Sequence, residues 1–321
     1  MIGSFKVSVK NSKNSYEFVL KRNITILTGN SGSGKTTLYD MIWDYNRFGK
    51  QSGVKLVCDK NVVALGKDDW ERRITEIEDS IIVIDEEDFI KSYDFARVVQ
   101  NSSNYFLLIT RFYLQGLPYS VDEVYEISGN KKKSFRPLYK DIEKMYHDPA
   151  KRELPFEPEV IITEDSKSGF QFFKKITSGT DVLCVTADGK SNIYKCLNAY
   201  EDKKVLIIAD GAAFGSEMGD LVKRQKLGFQ KIGIFLPESF EWLILKSGLV
   251  CLPDMDEIQS PELFVDSKDF LSWEQYFTKL LETLSQNPEY KLYKKKELAE
   301  YYLHDKSIVQ VMDLIKGWKL P

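Results

Sequence analysis

Residues 28–38 read TGNSGSGKTTL. Within this stretch Gly29, Asn30, Ser31, Gly32, Ser33, Gly34, Lys35 and Thr36 fit the pattern G-x-x-x-x-G-K-[ST] without a mismatch. Glycines let successive backbone N–H groups turn inward around an anion, and a helix that follows adds its positive N-terminus. Upstream, Ile24 to Leu27 reads as a short strand; downstream, TTLYDMIWDYNRF reads as a helix opened by Thr36 and Thr37. A flexible Gly/Ser turn is the plainer reading, but a strand before and a helix after favour a phosphate cradle. In such a cradle Lys35 reaches the β- and γ-phosphates and the Thr36 hydroxyl ligates magnesium. The expected ligands are a nucleoside triphosphate and Mg2+.

Working outward, SIIVIDEED at 80–88 is an apolar strand that ends in acids. Asp85 is placed to hold the magnesium shell, and Glu86 to orient or deprotonate an attacking water. Acids that merely solvate a loop are the competing reading. YFLLITR at 105–111 reads as a neighbouring strand with Thr110 and Arg111 at its tip. The Gly-Lys-Thr loop with an acid-ended strand resembles the P-loop ATPases whose Walker B motif carries a catalytic glutamate. That resemblance implies Asp85 on the metal, Glu86 as base and Thr110 as a sensor of the γ-phosphate. Arg111 would stabilise charge on the transferring group or sit on the surface. The strands ahead of the loop are similar to those of SMC-type chromosome-maintenance ATPases and of the overcoming-lysogenization-defect (OLD) family. Two departures stand out: there is no LSGGQ-like signature, and the interval from Lys35 to Asp85 leaves no room for a coiled-coil insert. ATP is expected over GTP from the branch alone, since no NKxD-like base-reading motif occurs. Small-molecule kinases share the GKT loop, and phosphoryl transfer to an acceptor stays open beside hydrolysis.

The remaining pattern sets the organisation. Phe5, Val7, Val9 and then Tyr16, Phe18, Leu20 alternate as two strands joined by a polar turn. KLVCD and VVALG read as short strands, DDWERRITEIED as a charged helix and DEVYEIS as a further strand. GNKKKSFRP and HDPAKRELPFEPE, rich in Gly, Pro and charge, bracket a helix-like KDIEKMY and mark a break. Beyond it EVIIT, DVLCVT, KVLIIA and KIGIF alternate with helix-length segments, the signature of a small, largely parallel sheet. SKDFLSWEQYFTKLLETLSQ, KKKELAEYYL and SIVQVMDLIKGW read as helices. The expectation is an α/β protein: a P-loop domain with a central, largely parallel sheet over 1–140, a linker over 141–157, a Rossmann-like domain over 158–265 and a helical C-terminal segment over 266–321.

Segments of the second domain resemble the Toprim module of primases, topoisomerases and OLD-type nucleases. These are IITEDSKSG, VTADGKSNI, VLIIADGAAFGSEM and LPESFEWLIL. The resemblance implies magnesium ligands at Glu164, Asp210 and Glu241, acting at a phosphodiester. The expected D-x-D reads Asp210-Gly211-Ala212, with a methyl in place of the second ligand. Glu217 or Asp220 would have to substitute, because hard cations want several oxygens. A catalytic Toprim domain, an inactive one and an unrelated α/β domain all stay open.

Composition, with 43% apolar and 29% charged residues, is that of a globular protein, and the net charge of −3 supplies no global field for nucleic acid or anionic membrane. Local contact with DNA or RNA would fall to Lys131, Lys132, Lys133 and Arg136, or to Lys294, Lys295 and Lys296, though lysine runs are commonly solvated surface. No membrane span or signal peptide is apparent. Cys58, Cys184, Cys196 and Cys251 show no CxxC pairing, and His147 and His304 are the two histidines. Buried thiols, a reducing compartment and a cytoplasmic address are expected; disulfides, zinc and a Ser-His-Asp triad are not. The whole reads as an ATPase that couples Mg-ATP to an effector domain acting on nucleic acid in phage defence or a mobile element. Alternatives are a nucleotide-gated adaptor and a small-molecule kinase. A homo-oligomer or a partner protein stays open.

Overall fold

The computed structural model describes residues 1–139, 156–228, 230–287 and 291–315. KDIEKMY, most of the 141–157 linker, His147 and the last residues of the tail lie outside them. The chain forms two compact units. One is Met1–Tyr139 with Ser260–Ser272; the other comprises the described residues of 156–259 and 273–315.

The strands of the first unit are β1 (Phe5–Lys10), β2 (Ser15–Leu20), β3 (Ile24–Thr28), β4 (Lys55–Val57), β5 (Asn61–Ala64), β6 (Ser80–Asp85), β7 (Tyr105–Ile109), β8 (Val124–Ser128) and β9 (Lys132–Pro137). Its helices are α1 (Lys35–Phe48), α2 (Trp70–Glu76) and α3 (Tyr93–Gln100). They build one sheet in the order β4-β1-β2-β9-β8-β3-β7-β6-β5. The sheet is mixed, with five parallel pairings and three antiparallel ones. The block β8-β3-β7-β6-β5 is parallel throughout, and the β1–β2, β1–β4 and β8–β9 pairings are antiparallel.

The continuous apolar runs of β6 and β7 have their reason here, because both faces of these strands are covered. Ile81, Val83, Tyr105, Leu107 and Ile109 pack in one cluster with Leu38, Met41 and Ile42, spaced along one face of α1. Ile82, Ile84, Phe106 and Leu108 pack in the other with Phe95, Val98 and Val99 of α3. The alternating β1 buries Phe5, Val7 and Val9 and exposes Lys6 and Lys10.

The charged stretch KKSFRP, read from sequence as part of the break, is strand β9. It lies inside the sheet, antiparallel to β8 and parallel to β2. Its alternation is hidden because one face is Lys132, Ser134 and Arg136, while the other joins Lys133 to Phe135, whose ring stacks on Phe18 at 4.1 Å.

In the second unit β10 (Val160–Thr163), β11 (Leu183–Thr186), β12 (Val205–Ile208) and β13 (Ile232–Phe235) form a parallel sheet in the order β11-β10-β12-β13. Around it run α4 (Ser168–Ile176), α5 (Ile193–Asn198), α6 (Met218–Leu227), α7 (Phe240–Ser247), α8 (Asp256–Gln259), α9 (Trp273–Leu284) and α10 (Asp305–Met312). The chain leaves β10 toward one side for β11 and returns on the other for β12. A crevice therefore opens at the carboxyl ends of β10 and β12.

The tail is not a segment apart. Helices α9 and α10 pack on α7 within the second unit. KKKELAEYYL is no α-helix and closes in a 3-10 turn at Glu300–Leu303. Ser260–Ser272, across the expected 265/266 boundary, joins the first unit because its backbone satisfies buried donors there. The Asn23 side chain donates to Ser267 O (3.2 Å) and Phe270 O (3.0 Å), and Gly3 N donates to Glu262 O (2.7 Å). Among the described residues no helix is long and apolar enough to cross a membrane. The four cysteines are free, and only Cys184 is buried.

Candidate functional site

The glycine loop lies between β3 and α1. Gly29, Gly32 and Gly34 have φ of 114°, 78° and 99°, a region that side chains rarely adopt, so the loop needs glycine at these points. Gly34 is also the N-cap of α1 and offers no side-chain acceptor, which leaves the first-turn amides free for an anion. Asn30, Ser31 and Gly32 are exposed at the crown. Lys35 is 5% exposed, and its Nζ spans the loop from within, donating to Gly29 O (2.8 Å), Asn30 O (3.0 Å) and Ser33 Oγ (3.4 Å). Burial chiefly, then Arg111, lowers the Lys35 pKa, while Glu86 and Asp85 oppose the shift.

Strand register brings the other candidates to the same edge. Ile109 pairs with Leu27 on one side and with Asp85 on the other, so the ends of β3, β7 and β6 align. Burial chiefly raises the Asp85 pKa, and the neighbouring Thr36 hydroxyl opposes that shift. Its Oδ1 is buried, and no donor among the described residues reaches it. A buried carboxylate oxygen left open beside a hydroxyl is a donor set that suits a hard divalent cation. Thr36 and Asp85 are the side chains that would hold magnesium here.

Glu86 follows with φ 45°, a left-handed conformation unusual for a residue with a side chain. The turn is held by its amide, which donates to Ile109 O at 2.9 Å, and its carboxylate pairs with Arg111 Nε at 2.8 Å. Arg111 thus belongs to the site. Thr110, fully buried, spends its hydroxyl on the turn beyond β7, accepting from Phe112 N at 3.0 Å. Thr37 lies in the first turn of α1.

The second cluster lies in the crevice of the second unit. Glu164 follows β10, and its Oε2 accepts from Asp210 N at 3.2 Å. Asp210 follows β12 and gives Oδ1 to Phe240 N, the first amide of α7, at 3.1 Å. Glu241, fully buried in the first turn of α7, accepts through Oε1 from Tyr293 OH at 2.6 Å. Lys295 Nζ stands 3.6 Å from Glu241 Oε1 and 2.7 Å from Glu274 Oε1. Glu164, Asp210, Glu241 and Lys295 line one small pocket. Burial chiefly, with Glu274 next, pushes Glu164 up to about 7 and Asp210 well above the carboxylate range.

These residues do not fit a divalent metal. Among the described residues no group of three or more acids, histidines or cysteines converges to hold one. Position 212 is a buried alanine, Glu217 accepts from the Ser216 hydroxyl at 3.1 Å, and Asp220 is exposed. The ammonium of Lys295 lies between Glu241 and Glu274, so this acid cluster carries its own cation. Glu164, Asp210, Glu217 and Glu241, expected as magnesium ligands, do not form a converging group among the described residues. Sequence reading also missed Lys295, Glu274 and Tyr293, which arrive from the tail. Lys295 was visible there as part of a lysine run, with nothing to mark which of the three turns inward. Lys190, in the quoted GKSNI, points back to Ala213 O at 2.8 Å.

No protein-family description matches the chain, and no curated protein is significantly similar to it.

Proposed function

We propose that this protein binds and hydrolyses Mg-ATP in its first unit and uses the nucleotide cycle to govern a binding surface of the second. The observation that carries the first half is the open, buried Oδ1 of Asp85 beside the Thr36 hydroxyl, at the foot of a glycine loop spanned by Lys35. Loop amides and Lys35 hold the β- and γ-phosphates, and magnesium, when bound, neutralises their oxygens and fixes their orientation. Glu86 takes the proton of a water attacking the γ-phosphorus as the bond to the bridging oxygen breaks, giving ADP and phosphate. For that it must leave Arg111, which frees the guanidinium to face the transferring group.

For the second unit, the Lys295 bridge favours an adaptor over a magnesium nuclease. A partner protein or a nucleic acid would be recognised by surface and not cut.

Glu86→Gln is the test of hydrolysis. The variant should bind ATP as the parent does while turnover falls about a hundredfold or more. Turnover within twofold of the parent refutes the assignment. DNA or RNA cleavage that depends on magnesium and is lost in Glu164→Ala and Asp210→Ala would instead restore the nuclease reading.

A further inference from the structure

Strand β9 delivers the Lys133 ammonium to the glycine loop. In the β2–β9 register Tyr16 lies opposite Lys133. Tyr16 is 1% exposed, and its hydroxyl donates to Gly34 O at 2.8 Å. Lys133 Nζ lies 3.3 Å from that hydroxyl, 3.5 Å from Ser33 O and 5.1 Å from the centre of the Tyr16 ring. The fit is close: a Cβ on Gly34 would collide with Lys133 Nζ and stand 2.8 Å from Tyr16 OH. On the same strand Lys132 pairs with Glu17 and Arg136 with Glu126, whereas no carboxylate among the described residues pairs with Lys133.

A trans peptide is planar, so its N–H points opposite to its C=O. The carbonyl of Ser33 shares a peptide with the amide of Gly34, and the carbonyl of Gly34 shares one with the amide of Lys35. Drawing both carbonyls outward therefore fixes both amides inward, toward the anion. Glycines make the loop able to adopt this shape but do not select it, because they are equally free to leave it. The Leu38 amide of α1 also holds Gly34 O, at 3.0 Å, so helix and Tyr16 share the orientation of that peptide; Lys133 is the side chain that reaches Ser33 O, and its ammonium adds positive potential to the same turn.

We propose that Tyr16 and Lys133 are positioning residues of the phosphate loop, holding it preorganised for the polyphosphate of a nucleotide before the nucleotide arrives. This rests on the phosphate-loop reading of the site. Preorganisation acts on binding and leaves the reacting atoms alone. Lys133→Met should weaken ATP binding about tenfold by titration calorimetry, with kcat at saturating ATP within twofold of the parent. Tyr16→Phe, which removes one oxygen and keeps the packed ring, should act in the same direction by about threefold. Lys133→Arg should restore most of the affinity, and the melting temperatures of all three should stay near the parent's.

Lys35→Ala separates the two claims. If it binds ATP like the parent, the phosphate-loop reading itself fails. If Lys35→Ala loses ATP while Lys133→Met and Tyr16→Phe keep the parental Kd within twofold, the positioning role alone is overturned. Affinity lost only in proportion to a fall in melting temperature, with no rescue by Lys133→Arg, overturns it too.

Discussion

Asp85 in the first unit, half-buried with a buried Oδ1, and Glu241 in the second, fully buried, are carboxylates beside a parallel block of strands. Each has one oxygen that no donor among the described residues reaches. What differs is the cation opposite. Beside Asp85 stands a hydroxyl, Thr36, and the nearby Lys35 is engaged with the carbonyls of the loop. Beside Glu241 stands Lys295, which also reaches Glu274. An acid site with its own ammonium is already compensated and gains little from a divalent ion. At Asp85 burial is the largest influence on the pKa and Lys35 a weaker one, so the charge there is less compensated. Strand-end acids alone therefore do not make a metal site; the charge balance around them decides.

The strongest test of this contrast is in the first unit. Lys35→Ala should abolish ATP binding by calorimetry, and Glu86→Gln should keep binding while phosphate release drops by about two orders of magnitude. ATP turnover that survives both would remove the open site from the comparison.

Next in size is Lys295→Met, which leaves a buried carboxylate uncompensated. It should cost about 3 kcal/mol in urea unfolding, with most of the loss recovered by adding Glu241→Gln. Mn2+ should raise the melting temperature of the single variant by more than it raises that of the ATP-free parent. A parent stabilised by Mn2+ through Glu164 or Asp210 would break the contrast.

A third acid sharpens what burial does by itself. Glu123 is fully buried, accepts from Thr25 Oγ1 at 2.8 Å and lies 3.8 Å from Arg22 Nε. Burial holds its pKa up to about 7, against an ordinary glutamate value of 4.5, with Arg22 opposing. Between these values the folded state keeps a proton that the unfolded chain has released, so stability falls as pH rises through that window. Glu123→Gln removes the titration. Its stability relative to the parent should improve from about pH 5 to about pH 7 and level off above, and a flat difference across that window would contradict the shift.

The smallest effect is expected at Asp210→Asn. The new side chain still accepts from Phe240 N, so unfolding free energy should stay within about 1 kcal/mol and ATP turnover within twofold. A large loss at this position would mean that the second unit uses that charge.

The first site was legible because it is nearly contiguous. Gly29 to Thr37 specify their own loop through positive φ, and SIIVIDEE declares a strand buried on both faces that ends in acids. Arg111 was found for the same reason, at the end of the YFLLI run. Strand β9 was not, since Lys132, Lys133 and Arg136 hide a period-two pattern whose apolar face is half-supplied by Phe18 of another strand. Thr110 fell on the right strand end, but the turn after it captured its hydroxyl.

By itself, then, the sequence determined the α/β class, the glycine loop and the acids at the strand ends. Those depend on local dihedral preference and on burial patterns that a few neighbouring residues carry. Tertiary structure alone decided which charges meet: Tyr16 and Lys133 on the loop, Lys295 and Glu274 in the second crevice, Ser260–Ser272 in the first unit. Pairing between segments so far apart leaves no spacing to read. It is fixed by how the sheets pack, and the free energy of a buried charge depends on the partner that packing supplies.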